Sequence, residues 1–136
     1  MLRNRFILTI ILVVFVFISL RLTCRLHEPY VDIIAQPDSV PSGGTVSLLI
    51  EVEDGDFPED TVTCTLNCTH GVFSDTIVVF RDTIGKSVTW TAPDTLQDTV
   101  SYDTITVFAT DIYDAQSSAN TVIKVYEDTT FKNYKH

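Results

Sequence analysis

Helix-forming composition is scarce beyond the first 23 residues. The single methionine is Met1, and the rest of the chain is rich in Thr, Val, Ile and Asp. Such a composition favours strands, and no helix of useful length is expected. Basic residues are also few. Nine Lys and Arg stand against eighteen Asp and Glu, and Arg3, Arg5 and Arg21 all fall in the leader. Residues 24–136 hold six basic and eighteen acidic side chains, a net of −12. So acidic a surface repels phosphates and excludes nucleic acid as a partner. It suits a soluble exported domain, or one that meets cations. The sequence lacks GxSxG, HExxH and phosphate-cradling glycine loops. His27 lies in a tether, His70 in a turn and His136 in a tail, none beside a nucleophile and an orienting acid at motif spacing. The chain therefore reads as non-enzymatic.

No apolar run reaches the ~20 residues that cross a bilayer core. Phe6–Leu20 is fifteen residues long, apolar except for Thr9 and Ser19, and follows two arginines. A positive start before a short apolar stretch is an export signal. Residues 1–23 are thus a signal peptide or a membrane anchor, and 24–29 a tether. Leu22-Thr-Cys24 resembles a bacterial lipoprotein signal, which makes Cys24 a candidate for lipidation. An uncleaved anchor and an ordinary signal peptide remain open beside it. Each reading exports the domain, and the first two hold it on the outer side of a membrane.

Three cysteines are an odd number for an exported chain. With Cys24 set aside, Cys64 and Cys68 remain. Four residues along a straight strand is ~13 Å, beyond the ~7 Å between Cα atoms that a disulfide spans. They are either two small buried or half-buried thiols or, if the chain turns near Asn67, a bridge. Two cysteines with only His70 nearby lack half of a zinc set.

What is present is a two-residue rhythm from Tyr30 to Val125. It is clearest in Lys86-Ser-Val-Thr-Trp-Thr-Ala-Pro-Asp94, where Val88 and Trp90 face one way and Ser87, Thr89 and Thr91 the other. Trp90 is expected to be the largest piece of the core, and Pro93 ends the strand. The rhythm recurs over 30–34, 45–53, 61–67, 76–80, 102–110 and 119–126, with Val46, Leu48, Ile50, Val62, Cys64, Leu66, Ile105, Val107, Ile123 and Val125 inward. Pro41-Ser-Gly-Gly44, Gly71 and Gly85 punctuate it. About seven strands with turn signals between them make residues 30–126 one all-β sandwich. Residues 127–136 form a polar tail, left disordered in this reading.

Pro37–Ser47, Glu53-Asp-Gly-Asp56, Gly71-Val-Phe-Ser74, Ser87–Pro93 and Ile105–Asp111 together resemble bacterial immunoglobulin-like domains of the polycystic-kidney-disease (PKD) type. The resemblance covers most of Tyr30–Val125. It implies an immunoglobulin-like sandwich used in spacers, adhesion, and carbohydrate or protein binding at cell surfaces, and it implies no reaction. The chain is thus expected to be a structural or interaction protein of the bacterial envelope, with an unidentified envelope partner.

A calcium- or carbohydrate-binding adhesion module is the alternative. Asp54, Asp56 and Asp60, with Glu53 and Glu59, cluster in one loop, and Asp111 and Asp114 in another. Both loops turn at one end of such a topology, and Ca²⁺ takes six to eight oxygens. Solvated, turn-favouring aspartates explain the same pattern. No other cofactor is implied. Tyr30, Tyr102, Tyr113, Tyr126 and Phe108 are candidate binding platforms if exposed.

Overall fold

A computed structural model describes residues 28–54, 61–81 and 84–128. These build nine strands: β1 (Tyr30–Gln36), β2 (Ser39–Pro41), β3 (Thr45–Glu53), β4 (Val62–Cys68), β5 (Val72–Phe73), β6 (Ile77–Phe80), β7 (Gly85–Thr91), β8 (Val100–Thr110) and β9 (Gln116–Tyr126). They form two sheets, ordered β1-β3-β7-β5 and β2-β9-β8-β4-β6. All pairings are antiparallel except β2 with β9. The described residues contain no helix. The expected leader, with Cys24, lies outside them.

Two short strands separate this count from the seven expected. The first arises because Pro37 has no N–H for the ladder. The chain leaves β1 there and crosses to the other sheet, where Ser39–Pro41 runs alongside Lys124–Tyr126. The second is β5, which pairs Val72 and Phe73 with Thr91 and Trp90. At the other end of the sequence β9 begins at Gln116 rather than near Ala119. It stays paired with β8 through all eleven residues, from Thr110↔Gln116 to Val100↔Tyr126.

Alternation decides which residues fill the space between the sheets. Val46, Leu48, Ile50 and Val52 from β3 meet Val62, Cys64 and Leu66 from β4 and Ile105, Val107 and Ala109 from β8. Trp90 is fully buried and is the largest such side chain. Burying it removes ~150–250 Å² from water, and at ~25 cal/mol per Å² of apolar area it contributes several kcal/mol.

The strand directions define two ends. At one lie the starts of β1, β4, β7 and β9 and the finishes of β3, β6 and β8. At the other lie the 42–44, 69–71 and 92–99 connections and the finish of β9. The chain enters at the first end. Pro29 is buried there, and the Ser117 hydroxyl donates to its carbonyl.

Candidate functional site

The far end carries the densest chemistry. Asp103 continues the inward phase of Ile105, Val107 and Ala109, so β8 delivers a carboxylate into the core margin with no exposure. A buried charge needs a partner. His70 supplies it from the turn after β4: its Nδ1 lies 2.6 Å from Asp103 Oδ1. Against an ionised carboxylate, which only accepts, the Nδ1–H is the donor. Asp103 Oδ2 is buried with no hydrogen-bond partner.

Gly71 makes this turn feasible. Its φ is +86°, and a Cβ there would lie 2.5 Å from the Thr91 carbonyl and 2.6 Å from the Trp90 ring nitrogen. Only glycine accepts both the angle and the approach. The Trp90 ring N–H then donates to the His70 carbonyl at 3.1 Å. Thr69 Oγ1 accepts from the Thr104 N–H at 3.0 Å and donates to the Thr104 carbonyl at 3.2 Å. The sequence marked Gly71 as a turn and Trp90 as core. Nothing in it linked either to the His70–Asp103 pair.

Both remaining cysteines are free. The alternative of a Cys64–Cys68 bridge is not realised, because β4 runs continuously through Cys68 instead of turning near Asn67. Cys64 is fully buried, and burial pushes its thiol up to about 11. Cys68 is half-buried, with Sγ 3.7 Å from the Gly71 carbonyl. Burial raises its pKa, the Asp103 charge adds to that, and the Trp90 indole N–H opposes it.

Beside His70 opens a cavity of about 430 Å³, walled by the 93–102 connection, including Leu96, Asp98 and Tyr102. Tyr102, a candidate platform, is 64% exposed. It also borders a second hollow of about 350 Å³ with Asp38, Ser39, Val122 and Lys124. Phe108, Tyr30, Tyr113 and Tyr126 are exposed too, spread over both ends and the outer sheet face.

Of the calcium candidates, Asp54, Asp111 and Asp114 fall at the opposite end. Asp111 is buried, and its Oδ1 accepts from the N–H groups of Tyr113 and Ala115, both at 2.8 Å, which closes the β8–β9 turn. Its Oδ2 is buried without a hydrogen-bond partner. Asp114 is exposed at a φ of 65°, an angle aspartate tolerates better than most residues. Asp54 directly follows β3, while Asp56 and Asp60 lie outside the described residues. Among the described residues no group of three or more His, Cys, Asp or Glu could hold a metal ion.

No family model matches the chain. No curated protein matches it. Solved structures do. The periplasmic chaperone SfaE superposes with a TM-score of 0.55 at 10% identity, over 71% of this chain and 57% of that one. The D00-D0 domain of intimin gives 0.55 at 12%, over 75% and 49%. A conjugative transposon lipoprotein from Bacteroides eggerthii gives 0.53 at 15%, over 71% and 97%. The fold is an immunoglobulin-like β-sandwich. The chain spans about half the length of the chaperone and of the intimin fragment, and its likeness reaches nearly all of the lipoprotein structure.

Proposed function

We propose that this chain presents one immunoglobulin-like domain, of the PKD type, on the outer side of a bacterial membrane as a non-enzymatic interaction module. The observation that carries the reading is the buried Pro29, tied to Ser117 only five residues after Cys24. Five residues reach at most about 17 Å. A lipid on Cys24, or an anchor ending near it, would hold the entry end against the membrane. The eleven residues of β8 span about 35 Å and would carry the His70 end outward. The lipoprotein likeness accords with this arrangement. Burial raises the pKa of both thiols, so neither Cys64 nor Cys68 is an activated nucleophile.

The test is membrane fractionation of wild type and Cys24→Ala, with the intact mass of the extracted protein. A mass of residues 24–136 plus acyl chains, and release on Cys24→Ala, establishes the lipid tether. A full-chain mass in the membrane fraction assigns the leader as an anchor. Wild-type protein recovered free of membranes overturns the reading.

The unpartnered, buried Oδ2 of Asp111 favours one second reading, calcium held at the 111–114 turn. Millimolar Ca²⁺ would then raise Tm, since a ligand of the folded state stabilises by mass action. An unchanged Tm removes this reading.

A further inference from the structure

At the far end an exposed ring stands between two hollows; Lys124 lies across the strand pair from it, and carboxylates outnumber that one cation. Tyr102 borders both the cavity beside His70 and the hollow at Val122 and Lys124. The cavity lining holds the Asp98 carboxylate and no lysine or arginine. Its one other titratable ring besides Tyr102, His70, is already tied to Asp103. Asp94 sits against the Gly43 turn, and the Glu127 N–H is bonded to the Thr99 carbonyl, so more carboxylates share this end. Among the described residues, Lys124 is its sole Lys or Arg.

We infer that this end is a docking surface for a cationic polypeptide segment, with a guanidinium or ammonium group entering the cavity between the Tyr102 ring and Asp98. The chemistry of the lining fits that group. A carboxylate supplies the counter-charge, and an aromatic face attracts a cation within about 6 Å of its centre. Thr95, Gln97 and Ser101 supply neutral acceptors for the remaining N–H donors of an arginine. A net charge of −12 outside the leader draws cations toward the domain and repels anionic partners. An exposed tyrosine at the centre, flanked by polar groups, has the composition of an interface anchor. The inference rests on the interaction role proposed above and deepens it by naming the partner's chemistry. It is tested on extracted protein, so its failure would leave the membrane tether standing.

The experiment titrates the full chain, ¹⁵N-labelled in detergent micelles, with acetylated and amidated tri-arginine. The isosteric tri-citrulline peptide, which lacks the charge, serves as the comparison. The expected result is saturable amide shifts at His70 and from Thr95 to Tyr102, weakened by salt and absent with citrulline. Tyr102→Ala and Asp98→Asn each raise Kd at least five-fold. Glu53→Gln, the same loss of charge at the opposite end, raises it less than two-fold. Unchanged Trp90 emission confirms that each variant is folded. Equal weakening by Asp98→Asn and Glu53→Gln, or citrulline binding as tightly as arginine, overturns the proposal. Shifts confined to the Asp111 end overturn it as well. So does a neutral oligosaccharide, cellohexaose, shifting these residues where tri-arginine does not.

Discussion

His70 and Asp103 meet at 2.6 Å across 33 residues of chain, an imidazole from the turn after β4 closing over a carboxylate that β8 buries completely. The pair ties the 69–71 turn to β8 at the far end. It makes the turn a fixed part of the core margin rather than a loose connection.

Removing one partner should cost more than removing both. His70→Ala leaves a buried carboxylate unpaired, a loss of about 1–3 kcal/mol. In the double variant His70→Ala/Asp103→Val the inward position becomes apolar, as its neighbours on β8 are, and most of that loss is recovered. Urea unfolding of the single and double variants measures the difference. Equal stability of wild type and His70→Ala would show that the pair contributes nothing.

Gly71→Ala should be among the most damaging small substitutions in the domain. It places a side chain at φ +86° and against the Trp90 ring. Strain and overpacking together are worth about 2–4 kcal/mol. The urea midpoint should fall with an unchanged slope. A loss below about 0.5 kcal/mol would mean that the turn can open away from Trp90.

Alkaline pH should destabilise the fold through Cys64. Burial raises its thiol from 9.0 to about 11, so the folded state holds the proton more tightly than the unfolded chain. The resulting stability is fully present below pH 9 and is lost as pH rises toward 11, at up to about 1.4 kcal/mol per pH unit. Tm measured from pH 8 to 11 should fall across that window. Cys64→Ala should start lower, because of the cavity, and fall less steeply. Identical slopes for the two proteins would rule out this origin.

Lys86 guards an open edge. Leu66 N–H donates to the Thr76 carbonyl, so in the alternating ladder the backbone groups of Ile77 and Val79 face away from β4. Both side chains are exposed, which makes β6 a template for strand addition. The Lys86 ammonium donates to the Val79 carbonyl and lies 5.5 Å from the centre of the Phe80 ring. Lys86→Met should change unfolding free energy by less than about 1 kcal/mol yet increase self-association in light scattering. Scattering identical to wild type would show that the edge needs no guard.

The sequence by itself determined which face of each strand is buried. Alternation is local: one residue's orientation sets its neighbours', so Val46 to Val52, Val62 to Leu66 and Val88 with Trp90 were assignable without a partner strand. It also put Asp103 in phase with Ile105, although that position was not singled out. Only the tertiary structure decided what meets across the sandwich. The sheet switch at Pro37 depends on whether Ser39–Pro41 finds β9, some 85 residues later. The Gly71 contact depends on the register that sets β5 against Trp90. The His70–Asp103 pair and the cavity beside it form because two sheets of fixed length bring the 69–71 and 93–102 segments to one end. Such contacts are set by strand pairing and sheet packing over long separations, and residue type and period carry no record of them.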